Sequence, residues 1–128
     1  MRDYRTNKLL QEIPELQDHQ YYIYVMENDI GKIKIGRTKN IYQRYQSLCG
    51  SNSQGNKITR VCCSPATYLY SIENIMHEKF KKYRIQGTEW FYDDDLKFED
   101  VVKELQLLFS SDDYKRCNSV RKKFCLRK

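Results

Sequence analysis

Two tyrosines and a lysine are placed by the sequence pattern on one face of a predicted hairpin, where they could contact a phosphate. Residues 21–26 alternate in the period-two pattern of a strand rich in aromatic and β-branched side chains. Residues 32–35 alternate lysine with isoleucine after a turn at 27–31. The aliphatic face of this hairpin is expected to be core. The opposite face then gathers hydroxyl and ammonium groups that suit a phosphate, from Tyr22, Tyr24 and Lys34.

Arg44, Glu73 and His77 are the other side chains that could act on a phosphate, and helical periodicity places each of them. Arg44 falls at the edge of the apolar stripe of the helix after the hairpin, from where it can reach across the sheet. Glu73 falls against the apolar edge of a helix predicted at about 66–83, and His77 lies one turn further along. A carboxylate there is partly desolvated unless a cation or a metal ion meets it. A buried-edge salt bridge from Glu73 to Arg44 or Lys34 is the alternative interpretation.

The hairpin and the start of the next helix resemble the GIY-YIG nuclease superfamily, whose two motifs lie on adjacent strands. Tyr22-Ile23-Tyr24 matches the first motif, with a tyrosine in place of its glycine, and Lys34-Ile35-Gly36 matches the second, with a lysine in place of its tyrosine. The continuation to Arg44 is similar to the family's passage into its first helix, which ends on an arginine. The KIGRT beginning resembles the phage-type and meiotically up-regulated gene-type branch. The resemblance covers about residues 20–92.

The resemblance implies a metal-dependent endonuclease. In this superfamily a glutamate on the second helix holds a divalent metal ion, and this branch has a histidine four residues later, as Glu73 and His77 are spaced here. Glu73 is therefore the predicted ligand of Mg²⁺ or Mn²⁺, hard ions that keep water positions for a substrate. His77 could orient the nucleophile, accept a proton or contact the phosphate.

The remaining catalytic roles fall to the hairpin and the first helix. Arg44 would supply fixed, permanently charged donors to the scissile phosphate. Tyr24 is the candidate for activating water, with Tyr22 as its substitute. Because a free tyrosine has a pKa near 10, this role requires nearby positive charge, which Lys34 could supply. Glu89 is a second, weaker candidate acid.

The predicted fold is α/β in the α+β sense, a small three-stranded, mostly antiparallel sheet flanked by helices. The second strand is expected to end at Gly36 and the third to run over 57–64 and end at Pro65. Thr38 or Asn40 can cap the first helix, which is predicted to run to about Cys49. Asp93, Asp94 and Asp95 are expected to start a last helix at about 96–109.

The chain is predicted to divide into an N-terminal extension at 1–19, a nuclease domain at 20–111 and a basic tail at 112–128. The net charge is +6, and the tail from Tyr114 onward carries seven basic residues and no acidic one. Such a tail is an electrostatic handle for nucleic acid, although a solubilising tail is the alternative. The predicted nucleic-acid-binding residues are Arg37, Lys39, Lys115, Arg116, Arg121, Lys122 and Lys123.

Composition favours an intracellular protein, in the cytoplasm or nucleus. The five cysteines contain no C-x-x-C pair, no apolar run approaches the roughly 20 residues of a membrane span, and the start does not resemble a signal peptide. His19 is expected to be a surface or packing residue. The expected partner is DNA, with RNA as the alternative, and no membrane; the chain is compatible with a monomer or a weak dimer.

Two other functions compete with the endonuclease. A catalytically inactive nucleic-acid-binding module on the same fold is favoured by the two motif departures. An adaptor for other proteins is less favoured, and its binding would resist salt, whereas phosphate contacts weaken steeply as salt rises.

Overall fold

The central hairpin forms as its alternating side chains predict, and the rest of the fold is built around it. A computed structural model describes residues 1–17, 20–49, 57–68 and 70–117. The strands are β1 (Gln20–Asn28), β2 (Ile33–Thr38), β3 (Ile58–Thr67) and β4 (Trp90–Phe91), and the α-helices are α1 (Ile41–Cys49), α2 (Ile72–Lys79) and α3 (Phe98–Phe109). Short 3₁₀ turns lie at Leu10–Glu12 and Lys81–Tyr83, and residues 112–117 are helical.

The strands form one antiparallel sheet in the order β3-β1-β2-β4. The predicted mixed class is confirmed, but the described part of the chain has four strands where three were expected. The fourth is a two-residue strand whose residues pair with Ile33 and Lys34. The prediction that Gly36 ends the second strand is wrong, because β2 continues to Thr38 and Gly36 pairs with Tyr24 inside the ladder.

β3 also continues past the residue expected to end it. Pro65 lies inside the strand, opposite Tyr22 of β1. Because β3 is the outer strand of the sheet, the missing N–H of a proline can face away from the ladder there. The helix predicted at about 66–83 is correspondingly shorter, since α2 begins only at Ile72.

Both faces of the sheet are buried. The aliphatic face packs under α2 and α3, as expected, with Ile23 and Ile35 completely buried. The opposite face is covered by α1 and by the residues before β1, so that Tyr22 and Tyr24 are 4% and 1% exposed. The tyrosine face is therefore a second core.

The residues before β1 are held to the sheet by a buried carboxylate. Asp3 is 2% exposed and bridges in parallel to Val61 of β3. Its side chain accepts hydrogen bonds from the backbone N–H of Cys63 and Thr6, both at 2.8 Å, and from the Thr6 hydroxyl. Leu10 is completely buried in the second core. The predicted domain boundaries themselves stay a prediction.

The three consecutive aspartates lie in a turn before the last helix instead of starting it. The Asp93 carboxylate accepts a hydrogen bond from the Asp95 backbone N–H at 2.9 Å, which closes the turn. α3 begins at Phe98, and its first turn carries Glu99 and Asp100, whose charge suits a helix N-terminus. Across the described ranges, no helix has the length and apolar character that crossing a membrane requires.

Candidate functional site

Tyr24 lies across Gly36 on the margin of the second core. The two residues are directly paired between β1 and β2, so their side-chain positions point to the same face. A Cβ at Gly36 would collide with Oη, Cζ and Cε2 of the Tyr24 ring. Gly36 has no left-handed backbone conformation, so a glycine is required by this close approach and by nothing in the backbone.

The pKa of the Tyr24 phenol responds to its burial and to three charged side chains from three parts of the chain. Burial raises its pKa well above the ordinary value, and the negative charges of Glu89 and Glu73 raise it further. Arg44 is the charge that acts in the opposite direction and lowers it. At neutral pH the phenol therefore keeps its proton and acts first as a hydrogen-bond donor.

Lys34 shares the face of Tyr24, as the alternation predicts, but it is paired with an acid. Its Nζ lies 3.3 Å from Oε2 of Glu89, and its side chain is 12% exposed. The ammonium also lies 5.6 Å from the centre of the Trp90 ring. Lys34 is thus held in place by Glu89, which directly precedes β4, and by Trp90, the first residue of β4.

Arg44 projects from the first turns of α1, and its helix starts where the sequence predicts. The Asn40 side chain accepts a hydrogen bond from the Gln43 backbone N–H at 3.0 Å, which confirms Asn40 as the cap. Thr38 supports it, because its hydroxyl oxygen accepts from the Asn40 N–H at 3.2 Å. Arg44 itself is exposed. An exposed guanidinium whose charge acts on the buried Tyr24 phenol is available to a phosphate in solution.

Glu73 is mostly buried at the start of α2 and faces an arginine that the sequence interpretation did not pair with it. Its side chain is 15% exposed, and Oε1 lies 3.8 Å from Nε of Arg37. The alternative interpretation named Arg44 or Lys34 as partners. Arg37 pairs with Ile23 of β1, whose face packs under α2, and this position brings the guanidinium to Glu73.

His77 is anchored on the backbone of β2 between Lys34 and Gly36. Its Nε2 lies 2.7 Å from the carbonyl oxygen of Ile35, and its ring lies 5.4 Å from that of Phe91. Donation to a carbonyl requires a hydrogen on Nε2, which in the neutral ring leaves Nδ1 as an acceptor. The side chain therefore has a fixed ring and one nitrogen able to take a proton.

The structure does not bring Tyr22 together with the other predicted catalytic residues. Its hydroxyl donates a hydrogen bond of 2.7 Å to the carbonyl of Pro14, in the segment that covers the second core. Tyr22 thus fastens the N-terminal residues to β1. Its catalytic role as a substitute for Tyr24 stays a prediction.

The structure describes only some of the predicted nucleic-acid-binding residues. Arg37 is 49% exposed, Lys39 is half-buried, and both lie at or just beyond the end of β2. Lys115 and Arg116 are exposed in the helical segment 112–117, where Arg116 pairs with Asp113 at 3.2 Å. The others lie outside the described residues, as does His19: Arg121, Lys122 and Lys123.

Within the described ranges, Glu73 is the carboxylate predicted to hold a metal ion. In the part of the chain that the structure describes, no group of three or more histidine, cysteine, aspartate or glutamate side chains is arranged for a metal. A single carboxylate fits Mg²⁺ when water and substrate phosphate oxygens complete its six ligands. The donor set is therefore compatible with a metal ion that is bound together with substrate.

One residue at the site carried no signal that sequence reasoning could use. Tyr68 lies just after β3, 45% exposed, with its ring against Tyr21 and Arg37. It is one of eleven tyrosines and belongs to no motif. Only the sheet, which brings the ends of β2 and β3 together around β1, places it near Glu73.

Comparison with known families identifies one domain family in this chain. A family model described as the T5orf172 domain matches residues 20–109. This domain is found in phage-type and nuclease-associated proteins, which indicates a nuclease-related or DNA-binding role. No curated protein and no solved structure matches the chain. Because the matched residues span well over half of the sequence, the chain belongs to the T5orf172 domain family.

Proposed function

We propose that this protein is a metal-dependent endonuclease of the GIY-YIG type that hydrolyses phosphodiester bonds in DNA. The observation that carries the proposal is the Tyr24 phenol, which fills the space over Gly36. The charge of Arg44 lowers the pKa of this phenol, and the charge of Glu73 raises it. A hydroxyl, an arginine and a carboxylate are the groups that phosphodiester hydrolysis needs.

Arg44 is assigned to the scissile phosphate. Its guanidinium is exposed and keeps its charge at every relevant pH, so it can stabilise the charge that builds on the phosphorus oxygens. A planar fork of donors also fixes the orientation of the phosphate, which a lysine would not do.

Tyr24 is assigned to the attacking water. The raised pKa of its phenol means that it orients the water through a hydrogen bond before any proton moves. Arg44 lowers that pKa and therefore favours the phenolate. In its neutral form His77 is a second acceptor, because a ring that donates from Nε2 to Ile35 has its free lone pair on Nδ1.

Glu73 is assigned to Mg²⁺ or Mn²⁺, and a metal bound there would supply Lewis-acid stabilisation of the leaving oxygen. The chain's own contribution is a mostly buried carboxylate, 15% exposed, whose negative charge is offset in the free protein by Arg37 at 3.8 Å. DNA is the proposed partner. A reducing, intracellular compartment is proposed because the cysteines among the described residues are free: Cys49, Cys62, Cys63 and Cys117.

The test is nicking of supercoiled plasmid with Mg²⁺ or Mn²⁺, comparing the intact protein with Glu73→Gln. Glu78→Gln is the matched control, because Glu78 lies on the same helix and is 71% exposed. Nicking by the intact protein and the control, lost in Glu73→Gln and with EDTA, is the expected result. Equal nicking by Glu73→Gln would refute the metal assignment.

A non-catalytic nucleic-acid-binding module is the second candidate, and the ion pairs favour it. Glu73 and Lys34 both face opposite charges, Arg37 and Glu89, in the free protein. Such pairs neutralise the groups that catalysis would use. Binding of the plasmid without nicking under every metal condition would select this candidate over the endonuclease.

A further inference from the structure

An exposed aromatic ring and an arginine form a small platform beside Glu73. We name it the Tyr68 platform, and it consists of Tyr21, Arg37 and Tyr68. The guanidinium carbon of Arg37 lies 5.7 Å from the centre of the Tyr21 ring and 5.5 Å from that of Tyr68. The two rings are 4.8 Å apart with an interplanar angle of 50°.

The platform is firm on one side and accessible on the other. Tyr21 is 1% exposed and donates its hydroxyl hydrogen bond to the carbonyl of Tyr70 at 3.3 Å. Tyr68 rests on this buried ring and is itself 45% exposed, while the Arg37 side chain is 49% exposed. A ring held from below with much of its surface in water is suited to accept a flat ligand.

The position of Arg37 and Tyr68 next to Glu73 distinguishes them from an ordinary surface contact between an arginine and a tyrosine. Nε of Arg37 lies 3.8 Å from Oε1 of Glu73, the carboxylate assigned to the metal ion. A nucleotide at the platform would therefore be next to the scissile phosphate. Its phosphate suits the guanidinium, and its base suits the ring.

We propose that the Tyr68 platform binds an unpaired nucleobase of the substrate, with Tyr68 stacked on the base and Arg37 on the adjoining phosphate. The proposal rests on the endonuclease function and specifies its substrate class. In a duplex the faces of each base are covered by its neighbours, so stacking on a side chain requires a single-stranded or extruded base. The preferred substrate is then DNA that has an unpaired base next to the cleaved bond.

The test is binding of a short fluorescein-labelled oligothymidylate in EDTA, where no cleavage occurs, measured by fluorescence anisotropy. An abasic oligonucleotide of equal length keeps the phosphates and lacks the bases. Tyr68→Leu preserves an apolar contact with Tyr21 and removes the stacking face. We expect it to weaken binding of oligothymidylate about tenfold and to leave the abasic oligonucleotide unchanged.

Two further variants separate stacking from loss of structure. Tyr68→Trp enlarges the ring face and is expected to tighten binding of oligothymidylate relative to the abasic oligonucleotide. Tyr92→Leu is the matched control, because Tyr92 is similarly exposed, at 44%, but follows β4 at the opposite edge of the sheet from β3. There its hydroxyl donates a hydrogen bond to Asp94. We expect Tyr92→Leu to bind both oligonucleotides as the intact protein does.

Two results with Tyr68→Leu would overturn the proposal when Tyr68→Trp also fails to tighten binding of oligothymidylate. In the first, Tyr68→Leu binds both oligonucleotides like the intact protein. In the second, Tyr68→Leu weakens binding of both oligonucleotides equally. Plasmid nicking is measured separately. A base-dependent effect of Tyr68 in a protein that never nicks DNA would refute the endonuclease and retain the nucleobase site. Nicking without that effect would refute the nucleobase site alone.

Discussion

Replacing Gly36 with alanine tests whether the Tyr24 phenol occupies the place that the structure gives it. The backbone at Gly36 is not left-handed, so alanine meets no backbone strain there. Its Cβ would nevertheless fall on the Tyr24 ring, with Cε2 at 3.1 Å and the hydroxyl and Cζ closer still. Tyr24 is 1% exposed and has little room to withdraw.

Two opposing effects set the change in the free energy of unfolding that Gly36→Ala causes. Glycine within a strand costs about 0.5–1 kcal/mol relative to alanine, so the substitution alone should stabilise the fold. Forcing an extra carbon into a packed core costs about 1–3 kcal/mol, and this effect wins while the ring is present. When Tyr24 is also truncated to alanine, the collision disappears. The two substitutions should therefore couple by about 2 kcal/mol.

Urea unfolding of the intact protein, Gly36→Ala, Tyr24→Ala and the double variant measures this coupling. We expect Gly36→Ala to be destabilising in the intact background and neutral or stabilising in the Tyr24→Ala background. The same loss of stability in both backgrounds would refute the reasoning that the glycine exists to admit the ring. Nicking by Gly36→Ala should also fall, because the displaced phenol no longer lies near Arg44.

Further predictions concern other parts of the site and its supports. Arg44→Lys keeps the charge but loses the fork of donors, so plasmid nicking should fall about tenfold; an unchanged rate would exclude this role. Arg37→Met removes the cation beside Glu73 and should tighten Mn²⁺ binding, followed by electron paramagnetic resonance, by a factor of about 2–5. Burial raises the pKa of Cys62 from 9.0 to about 12. Above pH 9 the unfolded thiol loses a proton that the folded thiol keeps, so the free energy of unfolding should fall as pH rises from 9 to 12. Cys62→Ala should make that fall shallower in urea unfolding, and an identical slope would contradict the assignment. Tyr22→Phe removes the hydrogen bond to Pro14 and should lower stability by about 1 kcal/mol. Faster amide exchange near residues 14–17 would accompany it, and unchanged exchange would speak against the anchor.

Local pattern predicts the hairpin because each strand carries its own information. The alternation around Ile23 and Ile35 identifies the buried face, and Asn40 marks the start of α1 by its capping chemistry. These features depend on neighbours in the sequence. They are therefore predictable without knowing which strands meet.

The departures from prediction arise where distant segments meet. In the sequence Pro65 indicates the end of a strand, but an edge strand tolerates a proline. Whether a strand lies at the edge depends on the whole sheet, so the strand's own sequence does not predict it. The tyrosine face reads as an open surface, but the residues around Leu10 cover it from outside the predicted domain. The two residues of β4 are too few to show a period. Likewise, Arg37 meets Glu73 only because β2 and α2 are packed together.

Plasmid nicking in the presence of Mg²⁺ by the intact protein and by Glu73→Gln tests the central claim most directly. The intact protein is expected to convert supercoiled plasmid to the nicked form, and Glu73→Gln and added EDTA are each expected to abolish the conversion. A protein that binds the plasmid equally well with and without the Glu73 carboxylate, and nicks it in neither case, would contradict the claim.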